Sequence, residues 1–118
     1  MSRYYELPIY LSTYSFTLEI FKLVKDFPKE YKYTVGETLK KETLELIMLL
    51  YKINSTPQKE RKGLLMNLAR ESVESIRLLL RLTHDLNLMR LKRFSYISLK
   101  LENISRQLAG WQKKSIQD

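Results

Sequence analysis

The sequence predicts an all-α fold, an antiparallel up-down-up-down four-helix bundle, on three observations. Three glycines and three prolines in 118 residues are too few for the tight turns of an all-β chain, while 44% hydrophobic residues can fill a core. Apolar residues recur at helical spacing in four separate segments. The connections between them are short, and short loops force neighbouring helices to run in opposite directions. A single domain over residues 1–118 is expected, with helices at about 8–27, 35–54, 57–86 and 90–114.

Pro8 suits the first turn of the first helix, where its missing N–H is harmless. Ile9, Phe16, Ile20, Leu23 and Phe27 then fall within about 40° of one line at 100° per residue, and the helix stops near Pro28. Thr34-Val35-Gly36-Glu37 matches a capping box, with Thr34 accepting from the backbone N–H three residues on and Glu37 reaching back. Val35, Leu39, Leu46, Leu50 and Ile53 follow on one face of the second helix. In Asn54-Ser55-Thr56-Pro57 the second helix stops and the third starts, with Thr56 as cap and Pro57 in the first turn. After Thr83-His84-Asp85-Leu86, Asn87 is the expected left-handed terminator. The fourth helix carries Ile97, Leu101, Ile104 and Leu108, with Trp111 closing the core at its end.

Two helices are more apolar than a bundle requires. The first has a second line, Leu11, Tyr14, Leu18 and Phe21, roughly opposite its core line. The third has an apolar arc of roughly 180° from Leu64 to Leu86, against the ~100° stripe of an ordinary surface helix. Large uncovered apolar faces mark interfaces, so Leu11, Tyr14, Leu18 and Phe21 are candidates for contact with another copy of the chain. For the third helix the alternative is that it is simply the most central one.

The chain carries 21 Lys and Arg against 13 Asp and Glu, and residues 87–118 hold seven of the basic side chains but only two of the acidic ones. Such an excess suits a polyanion partner, although surface lysine also serves solubility. Arg70, Arg77 and Arg81 share one stripe of the third helix, opposite its leucines and near Glu74, which reads as a solvated face. On the fourth helix Lys92, Lys100, Arg106, Lys113 and Lys114 avoid the apolar line, with only Glu102 near them, and Arg93 beside Lys92 is counted with them as a candidate. Together these nine cations are the candidate nucleic-acid-binding residues, acting on phosphates without reading sequence. A membrane-surface role would need the leucine face free to insert, and the bundle claims it.

Catalysis finds no support. The single histidine, His84, sits in a helix-end patch without a second histidine or HExxH spacing, no cysteine is present, and Gly36, Gly63 and Gly110 are isolated. No catalytic residue, metal or cofactor is expected. The broken N-terminal stretch reads as neither signal peptide nor membrane span, and a cysteine-free chain fits a cytoplasmic setting.

The segments FPKEYKYTVGETLKKETLELI (27–47), RLLLRLTHDLNLM (77–89) and ISRQLAGWQKK (104–114) resemble, in this order, the accessory variability determinant (Avd) proteins of diversity-generating retroelements. More distantly they resemble the four-helix proteins encoded in 23S rRNA intervening sequences. LELIMLLYKIN (44–54) departs from the small-residue pattern of the latter, which makes that group the alternative. The Avd resemblance implies a ring-shaped homopentamer of four-helix bundles that binds a reverse transcriptase and its template RNA, or an RNA/DNA hybrid, and supports mutagenic cDNA synthesis without being a polymerase. It also implies that Arg77, Arg81, Lys113 and Lys114, chosen independently by the helical wheel, are binding residues. The competing reading is a protein scaffold that never touches RNA.

Overall fold

The computed structural model describes residues 3–117, with the side chains of Tyr4, Ile116 and Gln117 outside the description; Met1, Ser2 and Asp118, the ends of the expected domain, lie outside it too. Four long helices, α1 (Pro8–Lys25), α3 (Val35–Ser55), α4 (Lys59–Asp85) and α5 (Leu91–Gln117), are accompanied by a single turn, α2 (Lys29–Lys32), and a 3₁₀ turn at Tyr4–Glu6. No strand occurs among the described residues. Each long helix packs on two neighbours in the cyclic order α1, α3, α4, α5. The bundle measures 46 × 24 × 22 Å, its length set by α4 and α5, 27 residues each and so about 40 Å long.

The core is one apolar line from each helix. Phe16, Ile20, Leu39, Leu46, Leu50, Ile53, Ile76, Leu80, Ile97, Leu101 and Ile104 are all at most 2% exposed. Four threonines share this interior. Thr13, Thr17, Thr43 and Thr83 each donate a hydroxyl hydrogen bond to the carbonyl four residues back, so each is satisfied without a partner on another helix.

Asn87 ends the α4 hairpin as expected. It is the one non-glycine residue with positive φ among those described, at 63°. The amide of Leu88 donates to the carbonyl of Thr83 and that of Asn87 to His84, the two bonds of a Schellman motif. Beside it the His84 ring stacks on Phe94 with centroids 4.6 Å apart, tying the end of α4 to the start of α5.

Neither predicted N-cap hydrogen bond is formed, although Thr34 does hold the N-cap position of α3. The Thr34 hydroxyl donates to the Glu30 carbonyl instead, because the α2 turn presents that acceptor 2.7 Å away. Thr56 is the C-cap of α3, its hydroxyl donating to the Lys52 carbonyl at 2.6 Å; α4 starts at Lys59 after Gln58, which leaves Pro57 outside the helix. The α1 helix ends at Lys25 rather than 27, and α5 runs to Gln117 rather than 114.

Gly36 has a role the sequence did not disclose. In the first turn of α3 it is buried against the end of α1, where an added Cβ would lie 2.7 Å from Val24 Cγ1, 3.0 Å from the Tyr31 carbonyl oxygen and 3.2 Å from Phe27 Cδ2. A Cβ at Gly63 or Gly110 would meet nothing within 4 Å. Gly36→Ala is therefore expected to destabilise by about 1–3 kcal/mol through overpacking. Gly63→Ala and Gly110→Ala should each stabilise by roughly 0.5–1 kcal/mol from helix propensity. Thermal melts followed by circular dichroism check the opposite signs; a neutral Gly36→Ala would remove the close approach.

Candidate functional site

The outer surface divides by helix. On α1, Leu11, Tyr14, Leu18 and Phe21 all face outward, Leu18 at 46% exposure. The neighbouring α3 exposes Leu44, Met48 and Tyr51, and Phe21 lines a groove between the two helices together with Leu44 and Met48. The second line of α1 is thus half of a wider apolar flank. Sequence reasoning assigned α3 a single buried face and missed its share, although the near-continuous apolar run LELIMLLY (44–51) was the signal. The surplus of α4 is real as well, since Leu64, Leu68, Leu78 and Leu82 are exposed.

The arginines of α4 sit on its other side, along the seam with α5. Arg70 Nη1 donates to Gln112 Oε1 at 2.9 Å, and Gln112 Nε2 donates to Asn67 Oδ1. Arg77 is not a free member of a solvated stripe. Its Nε and Nη2 donate to the two carboxylate oxygens of Glu102 at 2.8 and 3.0 Å, and Nη1 donates to Glu74. This fork-on-fork pair spans α4 and α5. The hydrogen bonds to Glu102 and then Glu74 raise the guanidinium pKa above its ordinary value, so Arg77 is cationic at every accessible pH. A wheel drawn for one helix found Glu74 but could not show that Glu102 of the next helix stands opposite. Arg81 is a surface residue, 70% exposed, in a loose 3.4 Å pair with Asp85.

On α5 the expected cations divide. Lys100 donates to Ser15 Oγ at 2.9 Å and lies over the Tyr96 ring, and Arg93 approaches Glu19 at 4.0 Å; both fasten α5 to α1. Lys92, Arg106, Lys113 and Lys114 are exposed and have no ion pair among the described residues. The outer face of α5 is therefore where positive charge lacks compensation. Its spacing places Lys92, Arg106 and Lys113 within about 60° of one another, on the side of the bundle away from α3.

No group of three or more His, Cys, Asp or Glu among the described residues could hold a metal ion, and no helix among them is long and apolar enough to cross a membrane. The fold and its surface define the class: a helical bundle with an apolar flank on α1 and α3 and a cationic face on α5. The particular family follows from comparison. Residues 9–115 match the bAvd-like family, bAvd denoting the bacterial accessory variability determinant, and the chain belongs to it. Membership points to an accessory role in diversity-generating retroelements, in a family not known as catalytic. No curated protein matches the chain.

The Arg77–Glu102 clamp is testable by a double-mutant cycle. Arg77→Ala and Glu102→Ala should show a coupling of about 0.5–1 kcal/mol in urea unfolding, the upper part of the range for partly exposed pairs. Additive single effects would mean that the pair does not join the helices.

Proposed function

We propose that this chain is a non-catalytic subunit that binds nucleic acid through the outer face of α5 while its apolar α1/α3 flank packs against protein. The observation that carries this reading is the uncompensated set Lys92, Arg106, Lys113 and Lys114 on a helix face separate from the apolar flank. Cations without counter-ions neutralise phosphates at no cost of breaking existing pairs, whereas Arg77 would first have to leave Glu102. Arg70 and Arg81, at the edge of the same side, extend the positive surface, with Arg93 and Lys100 in supporting positions.

Within a diversity-generating retroelement the nucleic acid is the template RNA or its RNA/DNA hybrid, and the protein partner is the reverse transcriptase. The apolar flank is assigned first to other copies of the chain, in a ring-shaped homopentamer. Supporting this assignment, the α4 leucines offer a second, different apolar surface. Two different surfaces meeting head to tail generate a closed ring when the rotation closes. A ring would repeat the basic face around one axis and let several subunits hold one strand. A pure protein scaffold is the second reading, favoured by the internal neutralisation of Arg77.

Two measurements test the proposal. Arg106→Ala with Lys113→Ala should leave the melting temperature within a degree or two and flatten the slope of log affinity for single-stranded RNA against log salt by about 0.7 for each lost contact. Arg77→Ala should change that slope little. An unchanged slope in the double variant, or no RNA binding by the wild type, supports the scaffold. In light scattering the wild type should show several times the 14.2 kDa of one chain, and Leu18→Lys with Met48→Lys should reduce it to that value. A monomeric wild type would contradict the ring.

A further inference from the structure

At the end of the bundle formed by the start of α4 and the ends of α3 and α5 lies an open cleft of about 520 Å³, within the ~300–1,000 Å³ of small-ligand sites. Three lysines line it, Lys59 and Lys62 from the first turns of α4 and Lys114 from the last turns of α5, and no carboxylate of the described residues does. Trp111 is the aromatic wall. Packed against the core, it is half-buried and still faces the cleft, so its indole presents a surface held in place by the bundle. Asn54 and Ser115 add an amide and a hydroxyl to the same lining.

We propose that this cleft takes one unstacked nucleotide of a single-stranded nucleic acid, its base against Trp111 and its flanking phosphates against Lys62 and Lys114. The chemistry is complementary in each part. An aromatic face stacks any base, and a basic groove tracks the backbone beside it. Lys62 and Lys114 make no ion pair among the described residues, and a polyanion relieves the repulsion between their like charges. The Ser115 hydroxyl supplies a hydrogen-bonding group for the base edge. An acidic peptide would satisfy the lysines but leave the indole without a flat partner. The site is distinct from the outer face of α5, sharing only Lys114 with it, and it rests on the nucleic-acid reading above. Placed at one end of the helices, it would hold the strand where that strand leaves the basic face.

Trp111 is the only tryptophan in the chain, so its fluorescence reports on this cleft alone. The full-length protein is titrated with an RNA octamer, a DNA octamer of equivalent sequence, polyglutamate of equal charge and inorganic phosphate, with anisotropy of labelled octamers recording total binding. Both octamers should quench Trp111, since stacking and phosphate contact do not use the 2′-hydroxyl, while polyglutamate and phosphate should not. In Lys62→Glu/Lys114→Glu the dissociation constant read from quenching should rise at least tenfold with an unchanged helical melt; Lys62→Gln/Lys114→Gln is the milder variant should the first fail to fold. Arg106→Ala/Lys113→Ala should weaken total binding and keep the quench at saturation. Octamer binding by anisotropy without a change in Trp111 emission, quenching unaltered in the lysine variants, or equal quenching by polyglutamate would each overturn the inference and leave the nucleic-acid reading standing. No octamer binding by anisotropy would overturn both.

Discussion

A four-helix bundle of this size has room in its interior for one apolar line per helix, and this limit determines what the remaining surface can be. The core is filled by the lines through Ile20, Leu46, Ile76 and Leu101, each almost fully withdrawn from water. Every further apolar residue must face outward. Leu18 and Phe21 on α1 and Met48 and Tyr51 on α3 are outside because the inside is full, and they gather into one flank because α1 and α3 are neighbours. At Gly36, against Val24 and the Tyr31 carbonyl, even a Cβ would force its neighbours to shift.

Charge is distributed by the same geometry. Seams between helices offer partners, so cations near a seam are drawn into them: Arg77 to Glu102, Lys100 to Ser15, Arg93 towards Glu19. Cations on the outer face of α5 make no ion pair among the described residues, the nearby Glu102 being held by Arg77, and so keep their attraction for an external anion. The basic excess of the last quarter of the chain thus separates into structural and available charge. The proposed binding face rests on this separation rather than on the net charge of +8, which would serve solubility equally well.

Helical periodicity made the interior legible in the sequence. The lines read as core on the first, second and fourth helices are buried, apart from Val35 and Trp111, which are half-buried at the two margins, whereas the arc of the third is buried only in part, with Leu64, Leu68 and Leu82 exposed. Asn87 was legible because few non-glycine residues accept a left-handed conformation. Relations between helices were not. Thr34 and Thr56 have the composition of N-caps, yet each hydroxyl found a nearer carbonyl behind it, which depends on turn geometry rather than residue type. Arg77 has its main partner 25 positions away, and the lysine-lined cleft combines residues 54–62 with 111–115. For the same reason the outer face of α1 was visible in the sequence and its continuation on α3 was not.

The central claim is that two separate faces serve protein and nucleic acid. Hydroxyl-radical footprinting of the wild-type protein, with and without single-stranded RNA, tests it in one measurement. In an isolated chain Met48 and Tyr14 at 52% and 51% exposure would oxidise readily, as would Leu99, 67% exposed on the cationic helix. The account predicts that Met48 and Tyr14 are shielded before RNA is added and unchanged by it, while RNA lowers oxidation at Leu99. Ready oxidation of Met48 and Tyr14 in the protein alone, or RNA protection at those residues and not at Leu99, would contradict it.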